Sequence, residues 1–144
     1  VSLRVGDVFF ERVRAISNRD KKYFIIVCSV DPVRFVLINT RNAVDVLCNP
    51  DLAPTQVPAL ASDFEFLRYD SWIGCNELFG GYNAEELAAL IAAGHRRGTI
   101  GNGLLNLILN AIDASKTIPG RQKLRCVDDI KSELARRAQG TQGN

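Results

Sequence analysis

Hydrophobic positions along this chain change their spacing once, near Gly80-Gly81. Before that point they come in short, dense runs, Val8–Phe10, Tyr23–Cys28 and Phe35–Ile38, rich in aromatic and β-branched residues and bounded by turn formers. Such runs predict buried β-strands. Asp31-Pro32 breaks the second run from the third. Ala43–Leu47 reads as a fourth strand, ended by Asn49-Pro50-Asp51. Pro54 and Pro58 predict a loop or an irregular edge strand after it. Phe64–Leu67 alternates as a strand does, and Asp70–Cys75 reads as a turn into another.

Past Gly81 the spacing becomes helical. Asn83 is a candidate N-cap, with Glu85 and Glu86 in the first turn to complement the helix dipole. Ala84–Ala93 is nearly all good helix formers, and Gly94 is a natural stop. His95–Gly98 reads as a basic link. Leu104, Leu105, Ile108, Leu109 and Ile112 then form the apolar stripe of a helix over Leu104–Ser115, stopped by Pro119-Gly120. Val127, Ile130 and Leu134 predict a last amphipathic helix over Val127–Ala138, and residues 140–144 read as a disordered tail. The expectation is one domain over residues 1–139, β-rich over 1–80 and helical over 83–138. Its class is α+β, or a small barrel with appended helices.

Composition narrows the function classes. An apolar content of 47% in 144 residues is enough for a real core and excludes a disordered chain. With 18 basic and 16 acidic residues the net charge is only +2, which excludes a histone-like binder held by bulk charge. Nucleic-acid contact would rest on local clusters such as Arg12, Arg14, Arg19, Lys21 and Lys22, or His95-Arg96-Arg97. No apolar run is long enough to span a membrane, and Val1–Phe10 lacks the core of a secretory leader. Four scattered cysteines lack the paired spacing of a zinc site and read as reduced thiols. A cytoplasmic protein without membrane contact, metal or other cofactor is therefore expected.

Candidate chemistry is sparse. His95 is the one histidine, which excludes metal sites built on two of them. Neither a phosphate-cradling Gly-rich loop nor a catalytic carboxylate pair can be nominated; Asp128 and Asp129 are neighbours on a helix and diverge. RNA, however, carries its own nucleophile, the 2′-hydroxyl. Its cleavage needs proton transfer and donors for a charged phosphorane-like transition state, which cations and a hydroxyl can supply. Arg19, Lys21 and Lys22 end one loop, and Thr40 and Arg41 end the third strand. If those strands are neighbours, the groups share a rim.

At these residues the chain resembles the MazF/PemK (Kid-like) toxins of bacterial toxin–antitoxin systems. Arg4–Phe10 is similar to that family's opening "RGD-V-Y/W" strand, and Lys22–Cys28 to its strand beginning "R-P-V-L-V". Leu37–Thr40 is similar to the "I-T" strand end, Tyr69–Asn76 to the "D-S-V-V-L-L-D-Q" strand, and Arg97–Leu105 through Ser115 to the lead into the closing helix. The matches run in the same order along most of the chain.

The resemblance implies an SH3-like barrel, commonly a homodimer restrained by a protein antitoxin, that cuts single-stranded RNA without metal. It carries the family's catalytic threonine onto Thr40 and its catalytic arginine onto Lys22, which keeps the charge but loses the planar phosphate-gripping fork. Arg19 is placed to substitute. Lys22, Thr40 and Arg19 are thus the expected catalytic residues, with Lys21, Asn39, Arg41 and Arg14 positioning RNA. Ala84–Ala93 and Val127–Ala138 are additions to the family pattern. The alternative is a non-catalytic nucleic-acid- or protein-binding module on the same barrel. The mechanism requires Lys22 and Thr40 within reach of a common phosphate.

Overall fold

The computed structural model describes residues 2–13, 15–16 and 20–142, the last two by backbone alone. Six strands form one antiparallel sheet, curled into a half-barrel: β1 (Asp7–Arg12), β2 (Lys21–Cys28), β3 (Arg34–Asn39), β4 (Gln56–Ala59), β5 (Ser71–Phe79) and β6 (Arg96–Thr99). Their order across the sheet is β4-β5-β3-β2-β1-β6. The described residues also form four α-helices, α1 (Ala43–Leu47), α2 (Ala84–Ala92), α3 (Asn102–Ala114) and α4 (Gly120–Gln142), and two short 3-10 helices at Pro50–Thr55 and Ala61–Asp63. The class is therefore α+β.

The continuous apolar runs of β2 and β3 exist because helices cover both faces of the sheet. Val8, Ile25, Val36, Ile38 and Ile73 face one core with Leu105, Ile108 and Ile112 of α3 and Ile130 of α4. Phe9, Phe24, Ile26, Phe35 and Leu37 face a second, smaller core closed by Leu87 and Ile91 of α2. Successive strand residues alternate between the two. Phe24 pairs with Leu37 and Ile25 with Val36, so the register holds each face together.

Several expectations are corrected. Ala43–Leu47 is a helix, not a strand. Asn42 caps it by accepting from the Val44 N–H at 2.9 Å, and the Gln56 carboxamide accepts from the Ala43 N–H at 3.0 Å. Beside β3 the place a fourth strand would take belongs to β5. Phe64–Leu67 is irregular; its alternation reflects Phe64 and Phe66 packing against the larger core without any strand partner. Pro58 does sit in an edge strand, β4, where no partner needs its missing N–H.

The basic link is itself partly a strand. β6 pairs with β1 through Thr99–Asp7 and Gly98–Val8, and its exposure explains the absence of an apolar signal. Finally, α4 runs for 23 residues, well beyond Val127–Ala138 at both ends. Pro119 precedes its first turn, and the helix continues to Gln142; residues 143–144 of the expected tail lie outside the described residues. Among the described residues no helix is long and apolar enough to cross a membrane.

Candidate functional site

The ends of β2 and β3, the chain after β1, α1 and β5 enclose an open cavity of about 600 Å³. Lys22, Asn39, Thr40 and Arg41 all line it, together with Asn76 and Glu77 of β5. Strand alternation explains the grouping. Lys22 shares the α2 side of the sheet with Phe24, and Asn39 shares it with Leu37, so both point past the end of the smaller core. Glu11 stands opposite Lys22 across the β1–β2 pair. Thr40 lies one residue beyond β3 and is exposed, as is Arg41. Apolar residues supply the remaining wall, and three of them, Ile16, Val46 and Leu47, are themselves exposed.

The floor of this cavity is ordered by a chain of hydrogen bonds. The Ala43 backbone N–H can only donate, so it fixes the Gln56 oxygen towards itself at 3.0 Å. The Gln56 amide nitrogen must then donate, to Asn76 Oδ1 at 3.0 Å and to Thr55 Oγ1 at 3.2 Å. Asn76 is thereby oriented with its own amide N–H groups turned away from Gln56. Gly74 leaves the floor open: a Cβ there would lie 3.2 Å from Asn39 Nδ2 and 3.3 Å from Asn76 Oδ1. Two carboxamides therefore converge over a residue that has no side chain.

Thr40 also lines a second cavity, of about 390 Å³, whose wall is aromatic: Phe10, Tyr23, Phe66 and Tyr69. Phe10 and Tyr23 are register partners on β1 and β2, with ring centroids 4.3 Å apart. Tyr23 stacks on Phe66 at 4.7 Å, and its hydroxyl donates to the Phe66 carbonyl at 3.3 Å. The Arg97 guanidinium lies 5.9 Å from the centre of the Phe10 ring. Thr40 thus stands on the ridge between a cationic cavity and an aromatic one.

Of the residues nominated from the sequence, the structure gathers Lys22, Asn39, Thr40 and Arg41. Lys21 pairs with Arg12, is exposed and lines neither cavity; alternation sends it to the opposite side of the sheet from Lys22. Arg14 and Arg19 lie outside the described residues. His95 is exposed beyond α2 and lines neither cavity. Sequence reading missed Gln56, Asn76, Glu77 and the aromatic row. Phe10 and Tyr23 carried a signal, since each is the outward neighbour of a core phenylalanine; Asn76 and Glu77 carried none, because their place depends on β5 docking beside β3.

Glu77 is the one carboxylate lining the cationic cavity among the described residues. No cluster of three His, Cys, Asp or Glu side chains suited to a metal ion occurs among them. Chemically, the cavity presents cations, amide donors, a hydroxyl and a carboxylate on an open surface. That set suits an anion with hydrogen-bonding substituents. Comparison of the chain with models of known protein families finds no match, and comparison with curated proteins finds none either.

Proposed function

We propose that this protein is a MazF/PemK-like, metal-independent endoribonuclease acting on single-stranded RNA, with the curled sheet as an SH3-like barrel of that type. The observation that carries the reading is the position of Thr40 between the two cavities. A strand of RNA alternates phosphates with flat bases. Lys22 and Arg41 offer charge to a phosphate, while Phe10, Tyr23 and Tyr69 offer faces on which bases stack. A phosphate at the ridge would meet the Thr40 hydroxyl.

In this mechanism Lys22 and Arg41 stabilise charge that develops on the phosphate oxygens. Thr40 donates a hydrogen bond to the same group, and Asn39 and Asn76 orient the chain. Glu77, which lines the same cavity, takes the 2′-hydroxyl proton in this reading, the role the sequence left without a candidate. The 2′-oxygen then attacks phosphorus, the bond from phosphorus to the 5′-oxygen breaks, that oxygen takes a proton from solvent water to leave as a hydroxyl, and a 2′,3′-cyclic phosphate remains. A homodimer and a restraining protein antitoxin belong to the same reading.

Incubation of the protein with a long single-stranded RNA in EDTA tests it. Discrete cuts ending in cyclic phosphate are expected, and the Lys22→Ala/Thr40→Ala double variant is expected to abolish them. Exposed Ile16, Val46 and Leu47 beside the cavity favour one other reading, a module that binds without cutting. Intact RNA that nevertheless binds in a Lys22-dependent manner would select it.

A further inference from the structure

We propose that Cys28 and Cys126 are a dithiol–disulfide pair, a redox modification site that staples α4 to the end of β2. The site is independent of the RNA reading. Cys28 is the last residue of β2 and Cys126 lies in α4; both are buried. Both belong to the larger core. The residues beside them tie the two elements together: the Ser29 N–H donates to the Asp129 carboxylate at 2.7 Å, and the Arg125 guanidinium donates to the Val30 carbonyl at 3.1 Å. The Cys28 thiol has the same Val30 carbonyl as an acceptor at 3.5 Å. Two buried thiols at the place where a strand end is bonded to a helix are positioned for the short span a disulfide needs.

The two sulfurs are not equivalent. Cys28 lines a shallow cavity of about 290 Å³ beside Val30, Arg125, Asp128, Asp129 and Ser132, whereas Cys126 does not reach it. The hydrogen bond from Cys126 holds the Cys28 thiol below its ordinary range, and the Arg125 cation adds to that effect. Burial and the Asp129 carboxylate oppose it; Asp129 is itself occupied by the Ser29 N–H at 2.7 Å and the Ser29 hydroxyl at 3.2 Å. The same hydrogen bond raises Cys126, because deprotonation there would break it. Cys28 is therefore the thiol that reacts first and Cys126 the one that resolves.

With a peroxide as oxidant the sequence balances. The Cys28 thiolate attacks one peroxide oxygen, the O–O bond breaks, and the leaving hydroxide takes a proton as water, giving Cys28 sulfenic acid. Cys126 sulfur then attacks Cys28 sulfur, the S–S bond forms, and the sulfenic hydroxyl leaves with the Cys126 proton as a second water. Two thiols are oxidised and one peroxide is reduced. Neither other cysteine offers this chemistry: Cys75 is buried, which pushes its thiol up to about 12, and Cys48 is exposed on α1's C-terminal side.

The test uses the full chain carrying Cys48→Ser, which removes the exposed thiol and with it intermolecular pairing. After hydrogen peroxide treatment, non-reducing digestion and mass spectrometry should show a peptide linking Cys28 to Cys126, reversed by dithiothreitol. The bond closes a loop of roughly a hundred residues, so the oxidised form should melt roughly 5–15 °C above the reduced form. In Cys126→Ala, a carbon nucleophile should trap sulfenic acid at Cys28 and the melting rise should vanish. The proposal is overturned if Cys28 and Cys126 stay reduced and alkylate no faster than Cys75. It is equally overturned if Cys28 over-oxidises without forming the link, outcomes readable in the Cys48→Ser protein even if Cys126→Ala fails to fold.

Discussion

Lys21 and Lys22 are adjacent, carry the same charge and sit on opposite sides of β2, which makes them a stringent test of the cationic cavity. Lys22 lines it and Lys21 does not. If a phosphate binds there, two described cations, Lys22 and Arg41, contact it. Each phosphate contact on single-stranded nucleic acid contributes a salt slope of about −0.7, so the pair gives about −1.4. Between about 50 and 200 mM salt the wild-type Kd should then weaken about sevenfold, and that of Lys22→Ala only about 2.6-fold.

Lys22 is half-buried in an open cavity, so its attraction for a phosphate belongs near the aqueous limit of about 1 kcal/mol at contact distance, or about fivefold in Kd. The assay is fluorescence anisotropy with a labelled 2′-O-methyl oligonucleotide, whose blocked nucleophile separates binding from cleavage. Lys21→Ala should leave slope and Kd within twofold of wild type. The reasoning fails if the two alanine variants behave alike, or if Lys21→Ala has the larger effect.

Glu133 is buried on α4 among Arg4 at 2.9 Å, Arg136 at 2.6 Å and Arg137 at 2.7 Å. Arg137 is only 15% exposed and also holds the Ile100 carbonyl, so Glu133→Gln should cost about 2–3 kcal/mol, after allowing for hydration of the more exposed arginines. A thermal melt should fall by roughly 4–12 °C, while Arg136→Ala should shift it by roughly 2 °C at most; equal shifts would refute the assignment. Gln56→Ala removes the link between α1 and β5, leaving the Ala43 N–H without its partner. Hydrogen exchange at Ala43 should accelerate and stability fall by about 1–3 kcal/mol, and unchanged exchange would count against the network.

Asp7 is wholly buried, and desolvation raises its carboxyl above the ordinary value of 3.8 despite hydrogen bonds from the Arg4 N–H and the Thr99 hydroxyl and the charges of Arg96 and Arg4. A raised folded-state value means the native protein binds the proton more tightly than the unfolded chain. The favourable contribution is therefore complete below 3.8 and lost as pH rises through the raised value. Asp7→Asn should gain stability relative to wild type as pH increases across that window. Parallel denaturation curves would contradict it.

Local chemistry in the sequence was sufficient for the elements whose signals are local. Asn83 closes a capping box with Glu86 at the start of α2, and the stripe Leu105–Ile108–Ile112 is the buried face of α3. The dense runs of β1, β2 and β3 announce burial because an apolar strand has nowhere else to go. Lys22 and Thr40 could likewise be nominated from the sequence, since charge and hydroxyl at strand ends depend on strand position alone.

Long-range docking decided the rest. Ala43–Leu47 has strand-like alternation, but five residues carry too little intrinsic preference to resist an Asn cap and a Gln56 anchor thirteen residues away. β6 is invisible in an exposed Arg-Arg-Gly-Thr segment until β1 offers it a hydrogen-bonding edge. The faces of Lys21 and Lys22, the convergence of Asn39 and Asn76 over Gly74, and the bonding of the end of β2 to α4 all arise the same way. Each depends on which strands and helices become neighbours, and contacts between residues far apart in the chain leave no periodic trace in it.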